Sequence, residues 1–123
     1  MGLKRVLDTN AILYFLGGRL AEPLPDGEYL VSVITRMELF SYPSLDSEAE
    51  ARIRSFLSEV EVVGLTEPVT DVAIRLRREH GLKLPDAIIA ATALTTGGEL
   101  LTNDEKLARI PGLTCRSLKL KLS

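Results

Sequence analysis

Four acidic residues could meet to do chemistry. Asp8 lies in "RVLDTNAIL", Glu38 in "VITRMELF", Asp86 in "LPDAIIAATAL" and Asp104 in "LLTNDEKL". Glu38 is set among Ile34, Met37, Leu39 and Phe40, and Asp86 is the only charge in its apolar stretch. Charged side chains are rarely buried unless something pairs them, and the sequence offers these acids no obvious cationic partner. Two unit charges ~4 Å apart repel by roughly 4 kcal/mol at an effective dielectric near 20. Carboxylates brought together at such distances therefore call for a divalent cation. An all-oxygen donor set, without His or Cys, selects a hard ion, Mg²⁺ or Mn²⁺, over zinc. Thr9, Asn10, Thr102 and Asn103 are then the neighbouring polar groups suited to orient the carboxylates by hydrogen bonds.

Each acid also has a purely structural reading. Asp8 or Asn10 can cap the helix that follows. Thr35 and Glu38 fit the S/T-x-x-E capping box. Asp86 suits the first turn of a helix through the helix dipole, and Asp104 can cap a short helix. Taken singly these readings are the stronger ones. Taken together they leave the burial of Glu38 and Asp86 unexplained.

The elements that must position the acids follow from periodicity. Residues 3–7 read as a short buried strand, and "NAILYFLGG" as a helix closed by Gly17 and Gly18. "EPLPDGE" is a turn-rich connector. "YLVSV" is a second strand, and "ITRMELFSY" a helix stopped by Pro43. In "DSEAEARIRSFLSEV", Ala49, Ile53, Phe56, Leu57 and Val60 share one helical face. "VEVVGL" is a third strand. Thr66 caps a helix with Pro68 in its first turn and Gly81 at its end. "LPDAIIAATALTT" predicts a helix apolar nearly all round, which must be covered on several sides. "ELLT" is a fourth strand, "DEKLARI" a short helix and "LTCRSL" a fifth strand. The order βαβααβααβαβ predicts an α/β domain with a central, mostly parallel five-stranded sheet flanked by helices in three layers. Ligands of such sheets bind beyond the carboxyl ends of the strands, the edge at which all four acids fall.

Composition narrows the alternatives. At 123 residues, 46% of them apolar, the chain is expected to form a single domain over residues 1–123 with a core of its own. No apolar run approaches the ~18 residues of a membrane span. Lys4 and Arg5 precede an apolar stretch in the manner of a signal peptide, but Asp8 and Asn10 interrupt it, so a cytoplasmic location is expected. A single cysteine, Cys115, excludes an internal disulfide. With one histidine, His80, it also excludes a Cys/His zinc site. Cys115 reads as a small buried hydrophobe in a strand, and His80 as a residue of a helix end.

The ordered set "VLDTNAIL", "VSVITRMELF", "LPDAIIAATAL" and "LLTNDEKL", spanning residues 6–107, resembles the PIN-domain ribonucleases, and most closely the VapC toxins of prokaryotic type II toxin–antitoxin pairs. The resemblance places the family's acidic quartet on Asp8, Glu38, Asp86 and Asp104 and its polar helpers on Asn10 and Thr102. It implies a Mg²⁺- or Mn²⁺-dependent endoribonuclease, homodimeric and held inactive by a small VapB-like antitoxin. The chemistry agrees with the residues. A metal on carboxylates generates a water nucleophile near neutral pH and offsets phosphodiester charge, so 5′-phosphate and 3′-hydroxyl products are expected. Either metal ligation or positioning of the water suits Asp86 and Asp104.

The formal charge of −2 argues against generic nucleic-acid affinity. Without the four site acids, 15 basic residues face 13 acidic ones, a balance of +2. Arg36, Arg75, Arg78 and Lys83 are then candidate phosphate contacts, with Arg77, Lys4, Arg5 and Arg109 near the same segments. All of these also suit a solvated surface. A receiver-type domain would need a phosphoacceptor Asp after the third strand, where "VVGLTE" has none. A haloacid-dehalogenase-type phosphatase would need Asp-x-Asp where this chain has Asp8-Thr9-Asn10. The alternative from another class is a non-catalytic dimer that binds an antitoxin and helps it repress its operator. The intact quartet argues against it.

Overall fold

The computed structural model describes residues 2–122. Its elements follow the predicted order: β1 (Lys4–Leu7), α1 (Thr9–Leu16), β2 (Glu28–Ser32), α2 (Val33–Phe40), α3 (Ser47–Leu57), β3 (Glu61–Val63), α4 (Glu67–His80), α5 (Leu84–Thr96), β4 (Glu99–Leu101), α6 (Glu105–Ala108) and β5 (Cys115–Arg116). The five strands form one sheet in the order β3-β2-β1-β4-β5. Every pairing in it is parallel.

Alternation along the strands divides the core into two. Val6, Leu30 and Leu100 stand side by side in register and pack with Val69, Ala73 and Leu76 of α4 and the buried residues of α5. Leu7, Val31 and Leu101 point the other way, onto Ala11 and Ile12 of α1, Leu39 of α2 and Ile53 of α3. The result is helix, sheet, helix. Every residue of α5 from Ala87 to Ala93 is buried. Four of those seven are alanines, which let the helix lie close to both α4 and the sheet. Thr92 survives in this setting because its hydroxyl donates to the Ile88 carbonyl at 2.8 Å.

The strand order reverses at β1. From β1 the chain moves outward to β2 and β3, and then returns to place β4 on the other side of β1. The carboxyl ends of β1 and β4 thus flank the topological switch point, where an open parallel sheet leaves a crevice.

Several boundaries differ from expectation. Ser32, not Thr35, caps α2: its hydroxyl accepts from the Ile34 amide at 3.1 Å. Thr35 is inside the helix and fully buried, so the capping box is not formed. The helix α3 stops at Leu57. At the sheet edge β5 has only two residues. Beyond it the chain leaves the ladder, because Asn103 captures Leu118 at both its amide and its carbonyl, at 2.6 and 3.0 Å. Leu120 then bridges antiparallel to Leu20. Arg5, expected at the surface, is buried between strands. It pairs with Glu99 and donates from Nε to the Asp26 carbonyl at 2.8 Å. Cys115 is half-buried, its thiol directed at the Leu107 carbonyl. His80 ends α4 as expected and is exposed. Among the described residues no helix is long and apolar enough to cross a membrane.

Candidate metal centre at the carboxyl edge of the sheet

Asp8 is the first residue past β1 and is only 6% exposed. Its carboxylate is held twice. One oxygen accepts from the Ala11 amide at 2.7 Å, capping α1, and the other accepts from the Thr102 hydroxyl. Thr102, at the end of β4 and buried, in turn accepts from the Asp104 amide at 3.0 Å. One hydroxyl therefore ties together the loops that carry two of the acids. The capping role and the site role of Asp8 coexist, because a carboxylate has lone pairs enough for both.

Glu38 comes from α2, one helical turn beyond Thr35. Its carboxylate accepts from the Thr9 hydroxyl at 2.6 Å, and Thr9 also lies 3.1 Å from the Thr35 hydroxyl. This chain of hydroxyls joins the start of α1 to α2. Asp86 sits in the first turn of α5, half-buried. Among the described residues no hydrogen bond or ion pair engages its carboxylate. Asp104 caps α6, accepting from the Lys106 amide at 2.9 Å.

The electrostatics show the acids within reach of one another. Burial pushes the Asp8 carboxyl above its ordinary range; the bonds from Thr102 and Ala11 pull it back, and the charges of Asp104 and Asp86 push it up again. Asp86 is raised as well, chiefly by burial and then by Asp104 and Glu38, with Lys83 and Lys106 acting against them. Even so, no three His, Cys, Asp or Glu side chains among the described residues stand close enough together to hold an ion as they are. The donor set nevertheless fits a hard divalent ion: oxygen-only, mutually repelling, with Asp86 unengaged.

Of the polar residues expected to orient the acids, Thr102 and Thr9 make those bonds. Asn103 does not; its amide is turned to Leu118. Asn10 is exposed, with no side-chain hydrogen bond among the described residues. Thr35 instead lies against the Thr9 hydroxyl that holds Glu38, and its three-residue spacing from Glu38 is a signal that the S/T-x-x-E capping pattern masks. Of the four candidate RNA contacts, Lys83 alone lines a cleft that contains Asp86, together with Lys106 and Arg109. Arg36 lies over the Phe40 ring and lines a separate groove with Met37, Tyr42 and Arg54. Arg75 and Arg78 are exposed on α4.

A parallel α/β sheet with an acidic, oxygen-only cluster at its switch point defines a narrow class of proteins. The PIN domain family model matches residues 5–113, and the chain belongs to that family. No curated relative matches the chain significantly. Among solved structures it is similar to a toxin–antitoxin complex from Klebsiella pneumoniae, at 33% identity and TM-score 0.75 over 89% of this chain and 95% of that one. It shares its fold with VapBC2 from Rickettsia felis bound to a promoter DNA fragment (22% identity, TM-score 0.80, 95% of this chain and 100% of that one). The DNA-bound VapBC of Salmonella typhimurium is similar too (24%, 0.77, 94% and 98%).

Proposed function

We propose that this PIN-domain protein is a Mg²⁺- or Mn²⁺-dependent endoribonuclease and the toxin of a VapBC-type toxin–antitoxin pair. The observation that carries this reading is the placement of four carboxylates along the carboxyl edge of the sheet, with Asp8 held by Thr102 and Glu38 by Thr9. Family membership and the likeness to VapBC complexes support it.

In this reading Asp8, Glu38, Asp86 and Asp104 are the metal-holding and catalytic set. A bound divalent ion supplies a water nucleophile near neutral pH and offsets charge on the phosphodiester. The chain's own residues fix the geometry. Thr102 donates to Asp8 and accepts from the Asp104 amide, so the two acids keep a constant relation. Thr9 holds Glu38 facing the start of α1. Asp86, free of such ties, is the acid best able to move with the ion or to orient the attacking water. In this reading water attacks the phosphorus and the P–O3′ bond breaks, so the products carry a 5′-phosphate and a 3′-hydroxyl. The protein works in the cytoplasm on RNA as a homodimer, and a VapB-like antitoxin silences it.

One observation favours a second reading. Two of the similar structures are VapBC assemblies on DNA, which suits a non-catalytic antitoxin-binding dimer acting in operator repression. Incubating total RNA with the purified protein, in Mg²⁺ and in chelator, and mapping the new ends separates the two. The nuclease reading expects 5′-phosphate ends that appear only with metal. Intact RNA in both conditions leaves operator repression standing.

A further inference from the structure

A cleft of about 420 Å³ opens beside Asp86, between the end of α4 and α6. Its rim carries His80, Lys83, Lys106 and Arg109. Its floor includes Leu82 and Ile110, both nearly fully buried. These cations are uncommitted. Among the described residues neither lysine forms a salt bridge. Arg109 reaches only Glu105, at 3.9 Å, with both side chains more than four-fifths exposed, an arrangement of little energetic worth. His80 comes no closer than 4.0 Å to Glu79. The start of α5, which bears Lys83 and Asp86, has no side-chain cap, so its free amides add positive potential at the same place.

We propose that this cleft is a backbone subsite for single-stranded RNA, in which Lys83 and Lys106, with Arg109, neutralise a phosphate next to the one cleaved at the carboxylates. The inference rests on the nuclease reading and adds the direction from which the strand enters. Asp86 is common to cleft and metal centre, so a strand lying in the cleft runs directly into the site. The apolar floor offers a surface to a ribose or base, while the exposed cations give sequence-independent grip. An acidic peptide would meet the same cations, so its binding is one outcome of the test below.

The test is anisotropy of a labelled, mixed-sequence 20-nucleotide single-stranded RNA, titrated in chelator and in Mg²⁺ at several KCl concentrations. It compares wild type with Lys83→Gln/Lys106→Gln, the charge-keeping Lys83→Arg/Lys106→Arg, and Lys119→Gln, exposed and outside the cleft. Circular dichroism checks that each variant is folded. Each cation that stops neutralising a single-strand phosphate makes the salt slope shallower by about 0.7. The Gln pair should bind roughly 10–30-fold more weakly near 0.1 M salt, with a slope shallower by about 1.4. The Arg pair and Lys119→Gln should match wild type. In cleavage assays the Gln pair should raise KM more than it lowers kcat. Equal affinity and slope for the Gln pair, in a protein whose wild type still cuts total RNA with Mg²⁺, overturns the subsite and leaves the nuclease reading intact. Absence of both binding and cleavage in wild type overturns both. If the Gln pair keeps its RNA affinity but loses a Glu-rich decapeptide that wild type binds, the cleft belongs to a protein partner and the RNA subsite is overturned.

Discussion

Asp86 shows how one side chain can satisfy a local rule and still report a site. A first-turn acid is favoured by the helix dipole, so Asp86→Asn should on that ground alone lose roughly 0.3–1 kcal/mol of stability. The neighbouring charges of Asp104 and Glu38 and partial burial act in the opposite sense. We therefore expect Asp86→Asn to melt at a higher temperature than wild type in chelator. Millimolar Mg²⁺ should raise the wild-type melting temperature more than the variant's, because a ligand that binds only the folded state stabilises it by mass action. A lower melting temperature for the variant in chelator, with equal responses to Mg²⁺, would remove Asp86 from the cluster. Thr102 is the complementary case. Thr102→Val keeps its shape but deletes the donor to Asp8 and the acceptor for the Asp104 amide. It should cost about 1–3 kcal/mol, read by denaturant unfolding, and weaken Mn²⁺ affinity 10–100-fold by titration calorimetry. Glu38 and Asp86 stand out in the sequence because each interrupts an apolar run, and Asp8 and Asp104 because each follows a strand at the carboxyl edge. Thr35 does not, since a local capping motif competes with its tertiary role.

At the scale of elements, periodic apolar faces and glycine stops are readable, and the ends of elements are less so. The limits of α5 follow from Pro85 and from Gly97, whose φ of 74° suits a residue without a Cβ. The shortness of β5 is not readable, because its end is set by Asn103, 15 residues from Leu118. Asn103→Ala removes both bonds. It should destabilise the fold by about 1–3 kcal/mol and expose the Leu118–Leu120 segment to early amide exchange, while metal affinity falls little. The buried pair Arg5–Glu99 is equally invisible, since 94 residues separate the partners and only the β1–β4 register joins them. The same arginine fixes Gly27: a Cβ there would come within 2.7 Å of the Leu3 carbonyl and of Arg5 Nε. Gly27→Ala should cost about 1–3 kcal/mol in a melt, without altering the salt dependence of RNA binding.

For the whole molecule, the order of elements along the chain suffices for a parallel three-layer fold, and the carboxyl-edge rule points to the edge at which the acids are expected. The helix α5, apolar all round, is covered within the chain by α4 and the sheet, so its burial demands no second copy. The homodimer is what the family resemblance of the sequence implies. Light scattering of the isolated protein at micromolar concentration should give twice the 13.5 kDa chain mass; the chain mass alone would contradict it. The acids at the switch point carry the larger claim, and one assay reaches them directly: the rate of RNA cleavage by wild type, Asp8→Asn and Glu38→Gln, each in Mg²⁺ and in chelator. Both substitutions keep shape, and Asp8→Asn retains an oxygen to cap α1. We expect cleavage by wild type in Mg²⁺ alone, and a reduction of at least about a hundredfold in each folded variant, the scale on which removal of a charged catalytic group acts. Cleavage that persists in chelator, or full activity in both variants, would show that the carboxylates do not hold a catalytic metal.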